Sequence, residues 1–317
     1  MTTDRVTATT VERDDIEAAR DRVREHIRST PVVHTGAGSF GIDTPLVLKL
    51  ELLQHTGSFK LRGAFNKMLA SDVPDSGVVA ASGGNFGLAV ACAARELGHR
   101  AEIFVPDTSP AAKIDRVREQ GADVRVIPGY YHEASIVALA RQAETGALAM
   151  HPFDQPEVVA GAGTIGLELS DQVSDADTIL VSVGGGGLIA GIASWFRGAV
   201  RVVGVEPERC AGLHAALAAG EPVDVEVGGI AADSLGPRRA GGIAFAAARR
   251  WVEEVVLVPD EAIREAQRRL WHDAHLVAEP GGATSLAALI VDAYRPSPDE
   301  RVVVIVSGAN TDPATVV

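Results

Sequence analysis

Ile16, Ala19, Val23 and Ile27 recur at helical spacing among charged residues, which predicts an amphipathic helix over Thr10–Arg28 that Pro31 stops. Val47–Leu50 predicts a short strand, and Lys60 falls in the turn that leads into a helix over Arg62–Leu69. A regular alternation follows: strand Val78–Ala81, helix Asn85–Leu97, strand Ala101–Val105, helix Ala111–Gln120 closed by Gly121, strand Val124–Ile127, helix His132–Glu144. It resumes with helix Thr164–Gln172, strand Thr178–Val183, helix Leu188–Phe196 and strand Val202–Val205. Glu221–Gly242, rich in Gly and Pro, is the least regular stretch. Helices Glu261–His272 and Ala283–Tyr294 and a strand Val302–Val306 complete the pattern. Strands alternating with helices of this length predict an α/β fold with parallel sheet and helices on both faces. Each half of the chain reads as an α/β unit, with a ligand cleft expected between them.

Composition narrows the functional classes. The chain has 317 residues, 46% of them hydrophobic, enough for two domains or one large unit. No run of about 18 apolar residues occurs, so no membrane span is expected. Met1–Arg28 is polar and lacks a signal-peptide core, which makes the cytoplasm the expected location. Cys92 and Cys210 alone do not make a disulfide framework. A net charge of −13 argues against nucleic acid or an anionic membrane as partner. The nine histidines show no ligand spacing, and no Gly-x-Ser-x-Gly elbow is present.

Lysine usage changes the picture. Of 29 basic residues only Lys49, Lys60, Lys67 and Lys113 are lysines. Arginine cannot replace lysine in forming an imine with an aldehyde, because its guanidinium stays protonated. Lys60 stands in Gly57-Ser58-Phe59-Lys60-Leu61-Arg62-Gly63-Ala64; taken alone, it also fits a solvated lysine at a helix start. Gly184-Gly185-Gly186-Gly187 lies between an apolar strand and an apolar helix, where bare N–H groups can converge on one phosphate. A flexible linker is the alternative. The turn is neither a P-loop nor a dinucleotide fingerprint. Ser82-Gly83-Gly84-Asn85 has the same strand–turn–helix context and suits a substrate carboxylate, with Asn85 free to bond a ring substituent; a plain capped turn fits too. Ser307, at the carboxyl end of a strand, is either a ligand contact for a ring nitrogen or an ordinary turn residue. One amine, one phosphate cradle, one carboxylate-sized turn and one hydroxyl match the aldehyde, phosphate and ring nitrogen of pyridoxal phosphate.

Residues 57–64, Ser82–Asn85, the four glycines and Ser307-Gly308-Ala309-Asn310 together resemble the fold-type II (tryptophan synthase β-like) pyridoxal-phosphate enzymes, in the branch of serine/threonine dehydratases and serine racemase. Gly161–Thr164, Ala232–Leu235 and Glu279-Pro280 fall where that branch carries similar motifs, so the resemblance runs from about Thr30 to Asn310. It implies two parallel-type α/β domains with the cofactor in the cleft, a large one from 1–70 and 148–317 and a small one from 71–147, in a homodimer. Lys60 would carry the cofactor as an imine, with Phe59 beside the ring. Gly184, Gly185, Gly186 and Gly187, with the N–H of Leu188, would bind the phosphate. Asn85 would meet the 3′-oxygen and Ser307 the pyridine nitrogen, while Ser82, Gly83, Gly84 and Asn85 would receive the substrate. A neutral hydroxyl at the nitrogen suits elimination over transamination. The implied reaction takes L-threonine or L-serine to a 2-oxo acid and ammonia.

The departures matter as well. Gly83 stands where racemases of this branch have a serine, which favours dehydration over racemisation. Phe86 and Leu88 replace a common His and Gln and leave the substrate open. A divalent metal would use Glu206, a carbonyl near Cys210 and a carboxylate near Gly212, and that last carboxylate is missing. The chain ends soon after Ser307, so no isoleucine feedback through a regulatory domain is expected. Alternatives are a racemase-like enzyme, a 3-hydroxyaspartate ammonia-lyase, and a catalytically silent protein that binds cofactor or amino acid.

Overall fold

The computed structural model describes residues 10–129 and 131–316. Residues 1–9 of the polar N-terminal stretch lie outside them. The described strands are β1 (Val32–His34), β2 (Leu46–Lys49), β3 (Val78–Ala81), β4 (Ala101–Pro106), β5 (Asp123–Ile127), β6 (Leu148–Met150), β7 (Thr178–Ser182), β8 (Arg201–Pro207), β9 (Glu254–Val258) and β10 (Val302–Ile305). They form two sheets, one of six strands in the order β1-β2-β10-β7-β8-β9 and one of four in the order β5-β4-β3-β6. Every pairing is parallel except that of β1 with β2, where Val32 faces Lys49 and His34 faces Val47. Inner strand β10 is apolar throughout, as expected for a strand covered on both faces. Val302, Val303, Val304 and Ile305 of β10 are all fully buried. At the edge, β5 exposes Asp123, Arg125 and Val126.

Strand Val78–Ala81 and helix Asn85–Leu97 have the predicted bounds. Other elements differ. The first helix is Arg13–Val23, shorter at both ends than the hydrophobic spacing implies. Lys60 is not in a turn before its helix but is the first residue of Lys60–Leu69. The helix expected from Thr164 begins at Pro156 and runs to Gln172. Its glycines weigh against helix by propensity, yet they mark helix crossings. A Cβ on Gly161 would lie 2.6 Å from the Arg62 carbonyl oxygen, and one on Gly163 would lie 2.7 Å from Ile16 Cδ1. The hydrophobic pattern does not predict β1, β6, β9 or helices Gly212–Ala219 and Gly242–Trp251. The four-stranded sheet takes in β6 and so reaches Met150, three residues past the segment 71–147 expected for a smaller unit.

Each sheet has its own core. Leu48, Leu180, Val203 and Val304 pack beneath helices Asp260–Ala274 and Pro280–Ile290. Val78, Ala80 and Ile103 pack with Leu61, Phe65 and Met68 of the Lys60 helix. The segment from β2 to that helix therefore leaves the six-stranded sheet and enters the core of the four-stranded one. Lys60 sits where it crosses.

Candidate active site

Lys60 Nζ donates to the Pro152 carbonyl oxygen at 2.8 Å and lies 4.9 Å from the Phe59 ring centroid and 5.9 Å from that of Phe86. Burial among these groups lowers the amine pKa to about 8, against the opposing charge of Glu279. The helix behind it is anchored by charge. Arg62, fully buried, makes a two-pronged contact with Glu51 (Nε to Oε2 and Nη2 to Oε1, both 2.8 Å) and reaches Glu168 Oε1 at 2.7 Å. Lys49 Nζ donates to Glu168 Oε2 at 2.6 Å, to Gln172 Oε1 at 2.8 Å and to the Thr30 carbonyl at 2.8 Å. Burial would raise the Glu51 pKa, but Arg62 and Lys49 hold it below the ordinary carboxylate range. Two cations and two carboxylates thus compensate one another in the interior. They tie the Lys60 helix to β2 and to helix Pro156–Gln172.

The four glycines connect β7 to helix Gly187–Phe196, and packing requires them. Gly186 has φ +87°, open to few other residues. A Cβ on Gly185 would overlap the Phe153 ring, and one on Gly187 would lie 2.9 Å from the Phe153 carbonyl oxygen. The N–H groups of the first helical turn have no acceptor within their helix. Alongside, Asp154 accepts from the N–H groups of Gly242 (3.1 Å) and Ile243 (3.0 Å), which caps the neighbouring helix.

Asn85 opens the helix after β3, and both ends of its amide are held. Nδ2 donates to Glu279 Oε1 at 2.5 Å, and Oδ1 accepts from Asn310 Nδ2 at 2.6 Å. Asn310 in turn accepts from Arg116 Nη1 at 2.7 Å. Ser307 Oγ donates to the Gly281 carbonyl at 3.3 Å, and its own carbonyl accepts from Phe59 N at 3.2 Å. That bond, with the bridge between Ser58 and Gly308, lays the end of β10 against the Lys60 segment. Glu279 is buried, and its Oε2 has no hydrogen-bond partner. Burial raises its pKa to about 7, with Lys113, Asn85 and Lys60 opposing the rise.

One cleft of about 430 Å³ gathers Phe59, Lys60, Ser82, Gly83, Gly84, Asn85, Gly184, Gly185, Gly186, Gly187, Leu188 and Ser307. Every residue expected at the cofactor or substrate is on its wall. Glu279 and Ser109, which the sequence reading did not place at the site, also line it. A glycine pattern was the available signal for Glu279, since a Cβ on Gly308 would overlap its carboxylate. Lys113 and Asp233 form an ion pair between helix Ala111–Glu119 and helix Ala232–Leu235. Beside Gly83 the space is taken by Ser109, since a Cβ on Gly83 would overlap its hydroxyl. Glu206 is elsewhere. Fully buried at the end of β8, it accepts from the N–H groups of Leu213 and His214, both at 2.8 Å, and caps helix Gly212–Ala219. Burial raises its pKa to about 7, against those hydrogen bonds. Among the described residues no three His, Cys, Asp or Glu side chains gather as metal ligands, and no helix is long and apolar enough to cross a membrane.

Comparison with known proteins agrees with this geometry. Residues 23–308 match the family model described as pyridoxal-phosphate dependent enzyme. An L-threonine ammonia-lyase of Geobacter sulfurreducens is 39% identical over 306 residues, which span 95% of this chain and 76% of that protein. The structure of maize serine racemase superposes with a TM-score of 0.91 at 32% identity, covering 97% of this chain and 96% of that one. That of a threonine deaminase from T.th. gives 0.89 at 35% identity, covering 95% and 99%.

Proposed function

The chain belongs to the pyridoxal-phosphate dependent enzymes, and we propose that it converts a β-hydroxy amino acid, L-threonine or L-serine, to a 2-oxo acid and ammonia. The water lost from the substrate in elimination is returned in hydrolysis, so the reaction is a net deamination. The observation that carries this reading is the meeting of Lys60, the glycine turn, the Ser82–Asn85 turn and Ser307 on one cleft.

The cleft fits the cofactor. Its volume of about 430 Å³ lies in the range for small-molecule sites. The glycine turn offers N–H groups at the positive end of a ten-residue helix, and Glu279 Oε2 stands buried without a donor. Gly184 to Gly187 and the N–H of Leu188 would hold the phosphate, Phe59 would flank the ring, Asn85 would face the 3′-oxygen and Ser307 the pyridine nitrogen. When bound, the cofactor supplies the electron sink that stabilises negative charge at the substrate α-carbon. Lys60 moves the α-proton. Its lowered pKa keeps a useful fraction neutral near pH 8, and the Pro152 carbonyl fixes where the amine rests. A positioned base of this kind contributes about 10²–10⁴-fold. The Ser82–Gly84 backbone, at the start of a thirteen-residue helix, receives the substrate carboxylate. We read Glu206 as a helix cap, not as a metal ligand.

Ammonia release from a panel of L-threonine, L-serine and 3-hydroxyaspartate tests the assignment, with borohydride reduction followed by peptide mapping to locate the cofactor. Release from threonine or serine, with the label on Lys60, is expected. Release from none of them, or a label elsewhere, would overturn it.

A further inference from the structure

Position 83 carries no side chain, but the space above it is filled. A Cβ built on Gly83 would overlap Ser109 Oγ and lie 2.9 Å from Ser109 Cβ and 3.6 Å from Val105 Cβ. Ser109 belongs to the turn after β4, pinned by its N–H to the Pro106 carbonyl at 3.0 Å. Its half-buried hydroxyl lines the cleft and makes no hydrogen bond to any other described residue. Ser82, by contrast, already accepts from the N–H of Gly84 at 3.4 Å. A hydroxyl can donate one hydrogen bond and accept others, and here it faces a turn at a helix start, a position that favours an anion.

We propose that Ser109 supplies the substrate-contacting side chain beside the Ser82–Asn85 turn: its hydroxyl donates to the carboxylate of the amino acid, and residues 83 and 109 share one side-chain volume that only one of them can fill. The carboxylate is the anionic group common to the substrates considered, so it is the group the turn would hold. This rests on the reading of the cleft as an amino-acid site. The contact is present in the ground state and in the transition state alike, so its loss raises KM more than it lowers kcat.

The test is a mutant cycle with full kinetics on the cofactor-loaded enzyme. Ser109→Ala is expected to raise KM for the amino acid about 10- to 100-fold, the range for a hydrogen bond to a charged group, with kcat within a few-fold and cofactor content unchanged. Gly83→Ser alone is expected to lower the melting temperature through overlap. Adding Ser109→Gly, which empties the shared volume, should restore it and bring KM back to within about tenfold of wild type, with the hydroxyl now supplied from position 83. A KM within twofold of wild type in Ser109→Ala overturns the carboxylate contact. Equal losses from Gly83→Ser with and without Ser109→Gly overturn the shared volume. A wild-type enzyme that releases no ammonia from any hydroxy amino acid overturns the reading of the cleft and this contact with it, while the melting temperatures still decide whether the two positions share space.

Discussion

Asn85 Nδ2 donates to Glu279 Oε1 at 2.5 Å, a bond that joins the first residue of the helix after β3 to the residue before helix Pro280–Ile290. One helix packs with the four-stranded sheet and the other with the six-stranded sheet. The bond therefore crosses the cleft wall. It satisfies only one oxygen of a buried carboxyl, and that imbalance has a measurable consequence.

The Glu279 carboxyl is raised to about 7 from an ordinary value of 4.5. Between those values the folded chain keeps a proton there that the unfolded chain has released. Stability from this group is fully present below about pH 4.5, falls as pH rises toward 7, and levels off above. Glu279→Gln cannot ionise. Urea unfolding of the cofactor-free protein should show the variant gaining on wild type from pH 5 to 7, by on the order of 3 kcal/mol at the plateau. A difference that does not change with pH would contradict the shift.

Arg62→Met should leave Glu51 and Glu168 with only Lys49 to balance them. Breaking a buried ion pair from one side costs about 3–5 kcal/mol, and denaturant unfolding at pH 7 measures it. Arg62→Lys should recover only part, because an ammonium cannot reproduce the two-pronged contact with Glu51. Wild-type stability in Arg62→Met would show that the network is not an anchor.

Gly185→Ala should displace the Phe153 ring, with a stability loss of about 1–3 kcal/mol, the usual range for overpacking. Because the same turn is the proposed phosphate cradle, cofactor content after dialysis should fall as well. Full retention of cofactor would place the phosphate elsewhere.

Where the chain signals its structure locally, the sequence was readable. Helix Asn85–Leu97 lies between glycines, and Gly98 ends it at φ +76°. The glycine turns and the scarce lysine pointed to residues that meet on one cleft wall, because few other jobs need a bare turn at a helix start or a lone amine. Structure set by distant partners was not readable. Helix Gly242–Trp251 begins where Asp154, 88 residues earlier, caps its N–H groups. The glycines of helix Pro156–Gln172 speak against helix by propensity and are overruled by the crossings at Arg62 and Ile16. β1 and β6, three residues each, are too short to show a period. Ser109 carries no local mark at all, since its meaning depends on a glycine 26 positions away.

The rate of ammonia release from L-threonine and L-serine, compared between wild type and Lys60→Ala loaded with pyridoxal phosphate and matched for folded content, tests most directly whether Lys60 carries the reaction. Wild type is expected to give a 2-oxo acid and ammonia in equal amounts. Lys60→Ala is expected to lose at least about 10²–10⁴-fold, since the positioned base is gone. Turnover by Lys60→Ala at the wild-type rate would contradict that expectation.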